Sequence, residues 1–357
     1  MYASHRDACI LSYYSFLLTN LLEDEYAGSK IAENVLAYRS LGKANYHFAS
    51  DVFRFAEAHA PVAILAYDVT GFFDNLDHGL LKKRLLNLLR VESLPEHWFK
   101  VFRYITRYSY VTMDDLKSVP SIAKALDDAR DGSPIATIAQ VKASGIQIHR
   151  NANPRAGIPQ GTPISAALSN LYMLEFDRAI KKFCDDVGGM YRRYSDDILI
   201  ICEDRHAVEA EEKVISLLAD LRLEISKDKT EVTLFDPTSN APLAQRAAQY
   251  LGFNLYPEGP AIRPSSLSRQ WRKMRRSLRR TEKIAGAAIF SGKATKVYTK
   301  KLRRRFTPLA FRNFSSYARR SARVFGGSEK ITQQVKRFER EAERQIRMLK
   351  DLESGDD

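Results

Sequence analysis

Cysteine is scarce in this 357-residue chain, and the three present, Cys9, Cys184 and Cys202, lack metal-ligand spacing. That excludes a disulfide framework and a zinc site, and a reducing cytoplasm is the compartment expected. Long apolar runs are missing too. The stretch from Ile10 to Leu22 is interrupted by Tyr13 and Tyr14, preceded by Arg6 and Asp7, and followed by no small-residue cleavage signal. A buried amphipathic helix is expected there. No other segment approaches the roughly 18 apolar residues of a membrane helix, so a soluble chain with no membrane partner is expected. There is no internal repeat.

Acidic side chains are scarce in one region only. From Arg263 to Lys350 there are 27 Lys and Arg against 5 Asp and Glu, a net of +22, while the rest of the chain is −9 and the whole +13. Basic character concentrated in this way is the electrostatic footprint of a surface that holds a polyphosphate backbone.

Residues 1 to 60 carry apolar side chains at mixed spacings of three and four and read as helical. Pro61 to Val69 (PVAILAYDV) is short, apolar and bounded by Pro61 and the Gly71 turn, which predicts a buried strand ending in an aspartate. A helix from about Leu76 to Arg90 follows. Residues 108 to 156 hold a helix-like acidic stretch around Ala123 to Arg130, then Gly132, Pro134 and a β-branched run from Ile135 to Ile148, and are assigned as a loop with a hairpin. Thr162 to Phe183 reads as one helix. Met190 to Cys202 (MYRRYSDDILIIC) predicts two strands joined over Ser195, Asp196 and Asp197, and a helix from Arg205 to Arg222 comes next. This order is a split βαβ arrangement, so the fold class expected is α+β with an antiparallel sheet. From about Ser266 the chain is basic and helical.

Aspartate pairs also occur at 114, 127 and 185, but only the pair at 196 sits between two strand-forming segments. Burying two carboxylates there needs an offset such as bound metal. If the strand ending at Asp68 neighbours this hairpin, three carboxylates meet at one sheet edge, the donor set of a two-metal site. Oxygen ligands without a His or Cys cluster favour two Mg²⁺ ions, with Mn²⁺ as a substitute.

These residues carry a resemblance to the reverse transcriptase family, in particular its bacterial branch. YDVTGFFDNLDH from Tyr67, GIPQGTPISAALSN from Gly157, YSDD from Tyr194, LEISKDKT from Leu223 and YLGF from Tyr250 are similar to the family's five palm motifs, in family order. The resemblance implies a right-hand polymerase: residues 1–60 an N-terminal helical region and fingers, 61–257 a palm with a finger insertion at about 91–156, and 258–357 a basic helical thumb and tail. It implies an RNA-directed DNA polymerase that extends a DNA or RNA primer with dNTPs on an RNA template.

The same resemblance implies that Asp68, Asp196 and Asp197 hold the metals, with the Val69 carbonyl completing a shell. Phe73 corresponds to a steric gate against a ribose 2′ hydroxyl, with ordinary core packing as its alternative. Gln160 and Gly161 lie in a turn before a helix, where an incoming nucleotide is received. Lys229 falls on the lysine of the fourth motif, a general acid for the pyrophosphate leaving group, with Lys227 as a rival. Arg39 and Lys43 (AYRSLGKAN) stand where related enzymes clamp the triphosphate, a solvated face being the alternative. Tyr250, Leu251 and Gly252 would grip the primer. In the thumb, Trp271, Phe290, Tyr298, Phe306, Phe311, Phe314 and Tyr317 alternate with arginines, and most are expected in the core.

No maturase, Cys/His endonuclease or RNase H region is legible. Ser195 stands where retron enzymes read Ala, no Val-Thr-Gly follows Phe253, and Ser165-Ala166 departs from the Ser-Pro of intron-type members. The expectation is therefore the defence-associated, abortive-infection branch, acting against phage with a dedicated structured non-coding RNA. Alternatives are a retron-type enzyme, an RNA-templated or template-independent nucleotidyltransferase, and a catalytically silent RNA-binding module.

Overall fold

A computed structural model describes residues 3–129, 135–239 and 247–351. Helix α1 (His5–Gly28) begins at Ser4, whose hydroxyl accepts the Asp7 amide at 3.2 Å, filling one donor left open at a helix start. Leu11, Leu18, Leu22 and Tyr26 form its buried stripe, so the interrupted apolar run is a core-facing helix. Helix α2 (Asn45–His59) leads into strand β1 (Val62–Asp68). Helix α3 (His78–Leu89) is capped by Asp77, whose Oδ1 accepts the Leu80 amide at 2.8 Å, and α4 (Glu96–Thr106) follows.

The next segment departs from its sequence reading. In chain order it holds β2 (Ser109–Tyr110), α5 (Met113–Lys117), α6 (Pro120–Asp128), α7 (Ile138–Ala143) and β3 (His149–Arg150). The helix-like acidic stretch falls largely in α6, a hairpin-like pairing joins Ser109 to Arg150 and Tyr110 to His149, and the β-branched run contains α7. A capping box explains the difference: Thr137 Oγ1 accepts the Gln140 amide at 3.2 Å while Gln140 Oε1 accepts the Thr137 amide at 2.8 Å, local bonds that override β propensity. The single helix expected over 162–183 is also two, α8 (Ser165–Tyr172) and α9 (Leu174–Asp186), broken at Met173 where ψ is −1°.

Strands β4 (Met190–Tyr194) and β5 (Asp197–Cys202), helix α10 (Ala207–Asp220) and strand β6 (Glu231–Phe235) complete the main sheet. Its order is β4-β5-β1-β6, antiparallel throughout. Alternation sorts the two central strands between two cores. Ala63, Leu65, Tyr67, Ile198 and Ile200 face the core shared with α1, α3, α8, α9 and α10, while Val62, Ile64, Leu199 and Ile201 face one shared with α2. Both faces are covered, which is why these strands read as unbroken apolar runs. At the β4 edge, Val35 pairs in parallel with Arg193. The Arg193 amide donates to the Asn34 carbonyl (2.7 Å) and the Leu36 amide to the Arg193 carbonyl (2.9 Å).

Strands β7 (Ala248–Tyr250), β8 (Phe253–Leu255) and β9 (Ala261–Ile262) form a second, three-stranded sheet. Four helices follow: α11 (Pro264–Phe290), α12 (Lys300–Phe306), α13 (Phe314–Val324) and α14 (Glu329–Asp351). Met274, Leu278, Leu302, Phe306, Phe338, Ala342, Ile346 and Leu349 give them a core of their own. Phe306 is buried there and Trp271, Phe314 and Tyr317 pack against cores, so most of the seven aromatics are core residues as expected, while Phe290, Tyr298 and Phe311 are 96%, 74% and 89% exposed. Among the described residues no helix is long and apolar enough to cross a membrane.

Candidate active site

Asp68 ends β1 and Asp197 opens β5, and the two are direct partners in the antiparallel ladder. Adjacent strands therefore deliver two carboxylates to one sheet edge. The Lys229 ammonium donates to Asp68 Oδ1 at 2.7 Å, reaching over from the turn after α10. Both aspartates, Lys229, Tyr250, Leu251, Gly252 and Arg263 line one cavity of about 260 Å³. Asp196 does not line it, and Lys227 is not among its walls either.

Burial and then neighbouring charge push the Asp197 carboxyl pKa up to about 6. Desolvation is the first cause, although the residue keeps surface open to solvent, and the charges of Asp196 and Asp68 add to it. Lys229 is shifted upward by its hydrogen bond with Asp68, which keeps the ammonium charged. Tyr250 is raised by burial, and among the described residues its hydroxyl has no hydrogen-bond partner.

The turn between β4 and β5 is strained and braced. Ser195 has φ 62°, a left-handed value that glycine normally supplies at the first position of such two-residue loops. Its hydroxyl shares a 3.0 Å hydrogen bond with Tyr38 Oη, and its carbonyl accepts from Arg193 Nη1 at 3.0 Å. Arg193 is wholly buried, forks onto both oxygens of Asp177 at 2.7 Å, and also donates to Asn170 Oδ1 at 3.1 Å. Asn170 in turn donates to the Ala37 carbonyl at 3.0 Å. Strained backbone persists where its surroundings over-determine it, and here four segments converge on one residue. None of Tyr38, Asn170, Asp177 or Arg193 was picked out from sequence. A charged residue inside a strand followed by apolar positions was the one available signal.

The turn carrying Gln160 and Gly161 is tied to the Phe73 segment. The Ile158 amide donates to the Phe73 carbonyl and the Gly157 amide to the Leu76 carbonyl, both at 2.9 Å. Gly157 has φ 92°, and a Cβ there would lie 2.8 Å from the Asp74 carbonyl oxygen. Thr162 Oγ1 and Ser165 Oγ, 2.5 Å apart, close the turn, with Ser165 donating to the Pro159 carbonyl at 2.6 Å. Gln160 and Gly161 are exposed, and Phe73 is half-buried, in edge contact with Phe72.

Other candidates fall elsewhere. Arg39 is not free to clamp a phosphate: its side chain is 4% exposed, its guanidinium donates to both oxygens of Glu23 and to the Ala32 and Val35 carbonyls, and it lies over the Tyr26 ring. Lys43 is exposed and pairs with Asp51 at 3.4 Å. Tyr250 ends β7, and Leu251 (φ 45°) and Gly252 (φ 91°) form the tight turn into β8. Val69 bridges to Ile225 through bonds made by its neighbours, Ser226 amide to Asp68 carbonyl (2.7 Å) and Thr70 amide to Glu224 carbonyl (2.8 Å). Neither bond uses the Val69 carbonyl.

The donor set fits a hard divalent cation in its chemistry. It is all oxygen, and Asp196 and Asp68 add negative charge beside a partly desolvated Asp197, against which Lys229 and Arg263 act. Among the described residues no three His, Cys, Asp or Glu side chains gather tightly enough to hold one ion as they stand. Asp68 and Asp197 are thus the nucleus of the candidate site, with Asp196 one residue away.

Fold and site together define a mixed helix and sheet protein that brings carboxylates to one edge of an antiparallel sheet, beside a strongly basic helical region. A family model described as reverse transcriptase (RNA-dependent DNA polymerase) matches residues 15–255, and the chain belongs to that family. No curated protein matches the sequence. Similar solved structures include apo telomerase from Candida tropicalis, with TM-score 0.44 and 13% identity over 69% of this chain and 39% of that one. Telomerase from Candida albicans with the TWJ fragment of telomeric RNA gives TM-score 0.48 and 13% identity over 95% and 46%. The chain spans less than half the length of these structures.

Proposed function

We propose that the chain is an RNA-directed DNA polymerase that extends a DNA or RNA primer with dNTPs on an RNA template. The observation that carries this reading is the pairing of Asp68 with Asp197 across β1 and β5, with Lys229 on Asp68, in a chain of the reverse transcriptase family. Residues 1–60 serve as N-terminal region and fingers, 61–257 as palm and 258–357 as thumb.

Asp68, Asp196 and Asp197 would hold two Mg²⁺ ions, with the Val69 carbonyl free to join them. Bound there, the ions would lower the pKa of the primer 3′ hydroxyl and neutralise the triphosphate. The chain's own groups do the rest. Lys229, kept protonated by Asp68, carries the proton that the pyrophosphate leaving group takes up. Phe73 fills the space of a ribose 2′ hydroxyl, and the Gln160–Gly161 turn, bonded to the Phe73 segment, receives the nucleotide. Tyr250, Leu251 and Gly252 hold the primer end against the cavity. Arg39 is left out of this reading because its guanidinium is fully engaged in the fold.

The defence-associated branch, with a structured non-coding RNA as template, is the reading favoured by Ser195 in place of the retron alanine, by the lack of Val-Thr-Gly after Phe253 and by Ser165-Ala166. The direct test incubates purified protein with a primed RNA template, Mg²⁺ and either dNTPs or rNTPs. DNA synthesis lost in Asp196→Ala/Asp197→Ala is the expected result. Incorporation of rNTPs alone would overturn the assignment of product.

A further inference from the structure

Helix α11 is basic on two flanks. Arg269 and Lys273 face a groove that runs to Leu251 and Gly252 and so to the carboxylate cavity. Arg272, Arg275 and Arg279 face the other way, toward α14, whose Arg337, Arg340 and Arg344 form the opposing wall of two adjoining grooves that share no residue with the first. Both sets fall at i, i+3 and i+7, so each makes one row along a helix face. Seven residues advance about 10 Å, the axial span of about three nucleotides of one strand.

All six arginines are exposed. Among the described residues no carboxylate forms an ion pair with Arg272, Arg275, Arg279, Arg337 or Arg340, and only Arg344 is paired, with Glu341 at 2.6 Å. Glu282 and Glu341 are the acids of this surface, so six guanidinium groups face two carboxylates. Like charges lined up across a groove repel one another and contribute nothing to folding. Planar guanidinium forks match phosphate oxygens two at a time. Beneath them Trp271 meets Phe338 edge-on at 5.1 Å, so the groove has a packed floor.

We propose that the α11–α14 groove is a second RNA track, separate from the cleft leading to Asp68 and Asp197, and that it holds a stretch of the template RNA outside the copied region. The inference takes the identity of the polyanion from the polymerase reading, since the RNA beyond the duplex is the polyphosphate such an enzyme always has at hand.

The test uses the full chain and a fluorescent RNA hairpin with single-stranded flanks, titrated while excess pre-annealed RNA–DNA template-primer occupies the cleft. Wild type is expected to bind the hairpin under these conditions. Arg272→Gln/Arg337→Gln/Arg340→Gln should weaken that binding by about tenfold or more and flatten its salt dependence by about two in log–log slope. Extension of the short duplex should stay within about twofold, while Arg269→Gln/Lys273→Gln reverses the pattern. Arg340→Gln alone should show a smaller effect of the same sign. Unchanged hairpin affinity in the triple variant, or complete displacement of the hairpin from wild type by the duplex, would overturn the proposal. Failure of wild type to incorporate any nucleotide sinks the polymerase reading instead and leaves the hairpin result to be judged separately.

Discussion

Arg193 and Asp177 form a bidentate ion pair, 2.7 Å on each arm, in which neither side chain exposes any surface, and its remaining reach ends on the carbonyl of Ser195 beside Asp196. Removing one partner of such a pair leaves an unpaired buried charge and costs about 3–5 kcal/mol. Arg193→Gln should therefore lower unfolding free energy in urea by that order. Arg193→Lys should recover little, because an ammonium cannot fork onto Asp177 and reach Ser195 at once.

Asp197 supplies a pH dependence with a defined sign. Its folded pKa of about 6 lies above the value of about 3.9 for a free aspartate, so the folded state binds the proton more tightly. The associated stability is fully present below pH ~4 and is lost as pH rises through about 6. Chemical denaturation in EDTA across that window should show this fall in wild type and its absence in Asp197→Asn. Parallel curves for the two proteins would contradict the partial burial of Asp197 beside Asp196 and Asp68.

Lys229 is predicted to act through its proton. Lys229→Met should reduce the maximal rate of nucleotide addition by about 10²-fold or more, the usual scale of general acid catalysis, with a smaller change in apparent dNTP affinity. Lys229→Arg keeps the charge on Asp68 but holds its proton too tightly to give it up, so its rate should stay low. Rapid-quench single-turnover measurements separate these outcomes.

Phe73 carries the choice of sugar. Phe73→Val should raise incorporation of rNTPs relative to dNTPs by at least about tenfold, a difference near 1.4 kcal/mol in barrier. Because the ring is only half-buried, the melting temperature should move little. Equal discrimination in the variant would return Phe73 to a packing role.

Gly157 tests the link between two loops. Alanine there meets the Asp74 carbonyl oxygen at 2.8 Å and must adopt φ 92°, so Gly157→Ala should cost about 1–3 kcal/mol and loosen the Gln160 turn from the Phe73 segment. A rise in apparent KM for dNTPs larger than any change for template-primer is the expected signature.

Much of the site was legible because its residues sit on strands whose periodicity is strong. Asp68 closes an apolar run and Asp197 opens another, and the antiparallel pairing that joins them is the one expected for neighbouring strands. Tyr38, Asn170 and Asp177 were not legible, because the bonds that gather them on Arg193 and Ser195 span up to 157 residues of sequence. Arg39 looked like a phosphate ligand because nothing local reveals Glu23, sixteen residues earlier, which takes its guanidinium. The helix α7 was missed because the capping pair of Thr137 and Gln140 outweighed a β-branched composition.

The residues that pair along β4, from Asn34 to Leu36, do more than steady the Ser195 turn. They sit on the outer hydrogen-bonding edge of the main sheet, where the Arg193 amide and carbonyl would otherwise face solvent. An open strand edge is a template on which other chains add, and it is a common origin of aggregation. A protein shortened to begin at Pro61 would keep the three site aspartates but lose α1, α2 and this edge cover together. The early segment thus closes the main sheet at its β4 edge as well as on its two faces, which denies other chains a strand to pair with.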